Sequence, residues 1–561
     1  MQDNSRDVRW LSRRNLLRGA GGAAAVALAG CGGDGGDGGD GTPTPSDGGG
    51  DGDGDGDGDG DGDGMGGGKL TFAQAKSPIE FDPVVLNDVP SAEIADRIFE
   101  SLYAWDEGTG HVPQLAASMP EVSREGQRFV VELNGDATFQ NGDPVTAEDV
   151  AYSFLAPAEE ETENANEVVM IDDASAVDDG TVQFDLKYPF APFPNTLHRN
   201  IVPKSVRESD KDAFNTESPT GSGPFQFEDW TEGEFVRISR YDDYWGEELP
   251  NLAEVEYRPV EEATTRVTTL RNEENDVIKT IPPQTWETVK GMESAEVQSV
   301  PGIGYFYLAF NCNAGPTTDP RVREAIDYCF SMDQAVSNFV EPSGVRQYSP
   351  YPRSVAEDWD FPLDEWKAIP HDKDIGAAQS LFEEAGVPSD YSWRIIVPPD
   401  DKREQIGVTV SNGLQEAGYS AEVQRLDWGA FLEDYITGNE DDYNMYTLGW
   451  SGLPDPDSFA YYLFARTDDT LGVTNGTFWG NNSDAGVEVA EKFLQARETP
   501  DREERRQLYI EGTTTLLEER PHIPSYNLNE SFGVNNYVDD FVAHSVASFR
   551  FLSEQNNVSV S

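Results

Sequence analysis

The sequence predicts an α/β protein of two or three domains, and three observations carry that reading. From residue 69 onward, segments with strand character alternate with segments of helical periodicity. The 493 residues from position 69 to the end are too many for one hydrophobic core. Aromatic residues make up 11% of the chain, too many for an acidic chain that stays disordered.

The elements follow in order. Leu70 to Ala73 reads as a short strand. Ala92 to Leu102 places apolar residues at 94, 95, 98, 99 and 102, one face of a helix. Phe129 to Leu133 is a strand. Phe139 to Pro144 contains Asn141-Gly142, a turn in which glycine supplies positive φ. Thr146-Ala147-Glu148-Asp149 has the form of a capping box, and Val150 to Leu155 continues the helix. Strands are predicted at Val182–Leu186, 225–227, 235–239 and Tyr305–Phe310. Asp319-Pro320 opens a helix with a capping carboxylate and proline in its first turn, and Val322, Ala325, Ile326, Cys329 and Phe330 mark its apolar face. Asp374 to Ala385 is a helix closed by Gly386. Strands at 393–397 and 421–426 flank a helix around 406–417, and Arg502 to Glu518 forms a charged helix that ends before Pro521.

The first 68 residues have a different character. Arg13-Arg14 is followed by an apolar run from Gly19 to Gly30, which is twelve residues long. A bilayer span needs about 20 apolar residues, so the run fits the core of a cleaved export signal. Leu28-Ala29-Gly30-Cys31 has the form of a lipobox, which makes Cys31 the expected lipid attachment site and residues 1–30 a twin-arginine lipoprotein signal. Residues 32–68 contain 20 Gly and 11 Asp and predict a solvated tether with a mean reach on the order of 30–35 Å. An EF-hand loop would need Glu at its twelfth position, where counting from Asp51 gives Gly62.

Acidic residues outnumber basic ones 104 to 40, for a net charge of −64, and most of the excess lies in the folded part. Self-repulsion on this scale is screened at molar salt, so the composition points to a saline habitat. It also excludes nucleic acid as a partner. Apart from Cys31, the cysteines are Cys312 and Cys329, which an exported chain either pairs or keeps as buried thiols.

Signs of catalysis are scarce. No GxxxxGK occurs, Gly302-Ile303-Gly304 lacks the third glycine of a dinucleotide fingerprint, and Gly449-Trp450-Ser451-Gly452-Leu453 fails the nucleophile-elbow pattern at its last position. The five histidines form no HExxH. No cofactor, no metal and no catalytic residue is expected.

Six segments, in order, carry a resemblance. Thr138 to Ser153 (TFQNGDPVTAEDVAYS) is the strongest. Thr220-Gly221-Ser222-Gly223-Pro224-Phe225 is similar to a TGPY segment, and Arg240 to Trp245 to a DYW segment. Asn311 with Asp319-Pro320-Arg321-Val322-Arg323-Glu324-Ala325 is similar to an N…DPRVRQA pattern. Leu381 to Gly386 is similar to LLAEAG, and Leu448-Gly449-Trp450 with Pro454-Asp455-Pro456-Asp457 to a GW…DP loop. Together they resemble the dipeptide- and oligopeptide-binding class of ABC-transporter solute-binding proteins, family five, over residues 70 to 530. With its acidity and signal, the chain is similar to lipoproteins of the haloarchaeal type.

The resemblance implies a periplasmic-binding-protein-like fold of the type II, hinged kind, with an extra inserted domain. Lobe I would comprise 69–112, 219–300 and 525–561, the insert 113–218, and lobe II 301–524. The segment 138–153 would be structural. Function would reside in the cleft between the lobes, where closure expels water around a bound ligand. Asp88 and Val89 lie in a loop whose backbone would pair with an extended ligand. Trp428 and Trp450 match ligand-facing tryptophans, and Tyr305 and Tyr307 precede Asn311 on a strand entering the cleft. Peptide-binding members place an Asp three residues after the loop Trp. Here that position is Leu453, so Asp455 becomes the candidate partner of a ligand ammonium. The approach Asn444-Met445-Tyr446-Thr447 offers no cation for a carboxylate.

The implied partners are a small-molecule or peptide ligand, ABC permease and ATPase subunits, and the membrane through the lipid anchor, with the protein itself a monomer. Sugars, opines and metal chelates remain open as ligand classes. So do an anchored hydrolase and a surface structural or sensory protein.

Overall fold

The computed structural model describes residues 68–466, 474–554 and 556–561. The signal, Cys31 and the tether up to residue 67 lie outside the described residues. The molecule is organised around one hydrogen-bonded sheet of twelve strands that runs through two lobes. Strand His522–Asn535 is the shared element. Its first half pairs with Gly304–Phe310 and Gly344–Arg346, and its second half with Ala295–Pro301 and Val277–Lys279. On one side, Met445–Ser451 pairs with Gly304–Phe310 and is followed by the parallel strands Ser392–Val397 and Ser420–Arg425. On the other, Lys69–Gln74 lies between Val277–Lys279 and Glu254–Pro259, both parallel to it, and the antiparallel strands Phe235–Arg240 and Phe225–Thr231 complete the sheet.

A separate antiparallel sheet of four strands forms from Glu121–Ser123, Arg128–Glu132, Thr181–Leu186 and Ile171–Asp178. Helix Ala147–Glu159 covers it. The buried apolar residues group accordingly. One cluster draws only on residues 305–526, one joins the first part of the chain to its last, one gathers Ala73 with residues 267–295, and one runs from Leu102 to Ile201. Trp366, Trp393 and Trp479 are among the largest side chains buried in the second lobe, each contributing on the order of 3 kcal/mol by its removal from water.

Local chemistry explains the element boundaries. Thr146 Oγ1 accepts from the backbone N–H of Asp149 while the Asp149 carboxylate accepts from that of Thr146, the reciprocal cap the spacing predicts. Asp319 and Asp374 cap Pro320–Asp327 and Ile375–Glu384, and Gly386 takes φ 75° after the second. Two predicted helices shift. The one expected over 92–102 spans Val89–Ile98, because Asp88 caps it and Phe99 turns extended toward the insert. The one expected around 406–417 begins at Asp401, where Asp400 accepts from the Arg403 N–H. Helix Asp484–Glu498 has no counterpart among the predicted elements. Cys312 and Cys329 are both buried free thiols, and burial pushes the Cys329 thiol up to about 12.

The insert is pinned to the first lobe by the segment that resembled a family signature. Gln140 donates through Nε2 to the carbonyls of Gly223 at 3.0 Å and Phe225 at 2.7 Å, and its backbone N–H donates to Gly221 O at 2.8 Å. Gly221 is required there, because a Cβ would lie 2.0 Å from the Ile98 carbonyl oxygen. Gly221→Ala is therefore expected to cost about 3 kcal/mol, the upper range for overpacking, since the obstruction is backbone. Gly135→Ala, with nothing within 4 Å of its Cβ, should change stability by less than about 0.5 kcal/mol. Chemical denaturation of both variants checks the pair.

Candidate functional site

The two lobes meet at a narrow joint. Asn527 Nδ2 donates to the carbonyls of Gly302 at 3.0 Å and Gly304 at 2.7 Å, and Gly302 N–H donates to Leu528 O at 2.9 Å. Beside it, Lys279 is enclosed by Glu93 and Glu530, and these carboxylates hold its ammonium charged despite burial.

On the second lobe, two predicted residues are half-buried aromatics. Trp428 opens helix Trp428–Tyr435, capped by Asp427, with its ring 5.7 Å from that of Phe431. Trp450 is the cross-strand partner of Tyr305, and its indole N–H donates to Ser458 O at 2.7 Å. Tyr462, missed in the sequence, packs 5.6 Å from Trp450. Its signal was the aromatic run Phe459 to Phe464, which reads equally well as core.

Other predicted residues are placed differently. Tyr305 and Tyr307 are buried, at 0% and 2% exposure. Their rings lie 4.9 Å apart, and Tyr307 stacks on His522 at 3.9 Å. Their faces are spent on protein, so they back the wall instead of forming it. Asp455 is also buried. Its carboxylate accepts from Arg505 at 2.8 Å and from the Asp457 N–H at 2.9 Å, so its charge is already matched and no ligand ammonium is needed. Asp88 caps a helix by accepting from Ser91 N–H at 3.0 Å. Extended backbone ends there, and Val89 is already helical, so Val89 cannot prolong an added strand.

The first lobe and insert also gather polar groups that lie far apart in sequence. Asp96 is exposed, yet surrounding protein raises its carboxyl above the usual range by desolvation, offset in part by Arg97, Asn200 and Arg550. Asn200 Nδ2 donates to the Asp96 carboxylate at 2.8 Å. Arg550 donates to the Trp105 carbonyl, and burial together with the neighbouring Arg97 lowers its guanidinium to about 10. Trp105 stacks on His198 at 3.5 Å with planes 2° apart, and His198 Nε2 is 2.7 Å from His111 Nδ1. His111 feels the charges of Asp455, Asp358 and Arg502 of the second lobe, so this cluster lies near that lobe.

The arrangement is suited to binding. The second lobe offers flat aromatic surface, and the first lobe with its insert offers a carboxylate, an amide and a guanidinium. Among the described residues, no group of three or more His, Cys, Asp or Glu could hold a metal ion, and no helix is long and apolar enough to cross a membrane.

Two α/β lobes on a shared strand, with an insert on the first, define the architecture of a two-lobe binding protein. Residues 110–470 match the model of the bacterial extracellular solute-binding proteins, family 5, and the chain belongs to that family. The glutathione-binding protein GsiB of Pectobacterium atrosepticum is 25% identical over 454 residues, 79% of this chain and 85% of that protein. The oligopeptide-binding protein AppA of Bacillus subtilis is 24% identical over 506 residues, 85% of this chain and 89% of that one. Among solved structures, the periplasmic binding protein DppA of Helicobacter pylori in complex with the peptide STSA superposes with a TM-score of 0.70 at 23% identity, covering 88% of this chain and 98% of that chain. HbpA2 of Haemophilus parasuis reaches 0.76 at 21% identity, covering 88% and 100%. These likenesses bear out the α/β type II two-lobe fold.

The histidines generate a pH prediction. Desolvation, with His111 and Arg550 adding to it, lowers His198 to about 2, against about 6.5 when unfolded. A depressed pKa contributes stability above 6.5 that is lost as pH falls, because only the unfolded chain takes up the proton. Unfolding free energy should therefore drop by about 1.4 kcal/mol per pH unit per such group below pH 6.5. In His198→Phe, which keeps a ring on Trp105, the slope between pH 6.5 and 5 should be shallower than in the parent by about that amount. Denaturant titrations across this range measure it.

Proposed function

We propose that this protein is the substrate-binding component of an ABC import system. It captures a small peptide-like solute outside the cell and delivers it, unchanged, to a membrane permease with its ATPase. One observation carries the reading: the second lobe bears the half-buried aromatics Trp428, Trp450 and Tyr462, and the lobe joined to it through the shared strand bears Asp96, Asn200 and Arg550. A zwitterionic ligand held between two such lobes finds a carboxylate, a guanidinium and apolar surface. The relatives named glutathione-binding and oligopeptide-binding agree with this class of ligand.

In the same reading, residues 1–30 export the chain by the twin-arginine route. Lipid on Cys31 anchors it, and the Gly/Asp tether lets a monomeric receptor sample the space above the membrane. The moving units are lobe I (69–112, 219–300, 525–561) with the insert (113–218), and lobe II (301–524). Leu102 and Tyr103 already pack in the insert core. No catalytic residue is assigned.

Calorimetry at molar potassium chloride against di- and tripeptides, glutathione, sugars and metal chelates tests the proposal. A peptide-class compound should bind with a Kd of about 1 μM or tighter, reduce the radius of gyration in solution scattering, and be recovered intact by mass spectrometry. Trp450→Ala should weaken binding at least about 30-fold, the effect of losing a 2 kcal/mol aromatic anchor. Binding confined to sugars or chelates would replace the ligand class, and turnover of a bound compound would replace the function.

A further inference from the structure

The insert is carried by the first lobe. Besides the Gln140 contacts, Arg207 of the insert bridges Asp82 of the first lobe and Glu160 of its own unit. Yet the insert also reaches the second lobe. The backbone N–H of Ala191 donates to Arg497 O at 2.9 Å. The Arg497 guanidinium lies 4.8 Å from the Phe190 ring of the insert and 3.6 Å from the Tyr461 ring of its own lobe. Its Nε is 3.5 Å from Asp457 Oδ2.

Three features set this contact apart from ordinary packing. First, it joins parts of the chain that a hinge motion would separate. Second, it is incompletely satisfied: Arg497 Nε and Asp457 Oδ1 are buried without hydrogen-bond partners, an arrangement whose desolvation cost is only partly offset and which water would relieve on opening. Third, Asp457 and Tyr461 flank the residues that build the aromatic wall. Ser458 O holds the Trp450 indole, and Tyr462 packs on its ring. One short segment therefore faces the insert on one side and supports the wall on the other.

We infer that Arg497 is a positioning residue that clasps the closed state: it engages Phe190 only when the lobes are shut, and through Asp457 and Tyr461 it sets the segment on which Trp450 rests. The insert is then part of the binding cycle. A ligand that packs well on Trp450 favours the engaged clasp, and the engaged clasp favours the orientation of Trp450 that the ligand needs, which is a population shift shared by two contacts. This rests on the proposed opening and closing of the lobes around a ligand.

The test reads closure directly and needs no ligand. Nitroxide labels at the exposed positions 136 of the insert and 365 of the second lobe would report interlobe distances by pulsed electron resonance in molar salt. The parent should show a short-distance population that Arg497→Ala depletes at least threefold and Arg497→Lys restores in part. Phe190→Ala should reproduce the depletion, because it removes the partner on the other lobe and leaves Asp457 and Trp450 untouched. With glutathione and the tightest-binding peptide of the panel as probes, both alanine variants should raise Kd at least tenfold, mainly through faster dissociation. Unchanged distances in Phe190→Ala overturn the clasp, even if Arg497→Ala fails to fold. Depletion in Arg497→Ala alone would reduce Arg497 to a structural role in its own lobe and equally overturn it. Failure of every probe to bind would count against the proposed ligand class, while the distance measurements would still decide the clasp.

Discussion

One strand, His522–Asn535, belongs to both lobes, and the rest of the architecture depends on that sharing. A strand paired on both sides resists bending wherever its ladder is complete. Here the ladder changes partners between Tyr526 and Asn529, where the first-lobe and second-lobe registers meet. The local hydrogen bonds of Asn527 hold the crossing chain without adding a third strand. Each lobe keeps its own buried cluster on its side of the joint.

The scarcity of cations shapes the interior. With 104 acidic side chains and 40 basic ones, the surface is left to carboxylates, and several arginines are drawn inside. Arg207, Arg323, Arg505 and Arg520 are all at most 8% exposed, and each meets carboxylates or carbonyl oxygens from distant segments. Such pairs leave few unsatisfied charges, and their planar donors fix the angle at which segments meet. Arg497, flanked by aromatic rings and lacking a close carboxylate hydrogen bond, departs from this pattern at the contact between insert and second lobe.

Much of the fold was legible because helix starts obey local rules. Asp319 and the Thr146–Asp149 pair act within four residues, and each forms the cap its spacing implies. The site was less legible. Alternation along Tyr305, Phe306 and Tyr307 cannot separate wall from core when both faces of a strand are covered. The partner that neutralises Asp455 is Arg505, fifty positions later on another helix. Asp96, Asn200 and Arg550 come from three remote stretches, and nothing in their neighbourhoods marks them out. Trp450 was recognisable only through its likeness to a family loop, and Tyr462 was hidden in an aromatic run that looks like ordinary packing.

The two buried thiols have a consequence for biogenesis. Cys312 lies against the Phe310 carbonyl and Cys329 against that of Ala325. Neither needs an oxidant to reach its native environment, and burial keeps both protonated and unreactive. The lobe they stabilise can mature completely in a reducing compartment, with no disulfide isomerase and no covalent proofreading, and is equally indifferent to the redox state of whatever medium it later meets.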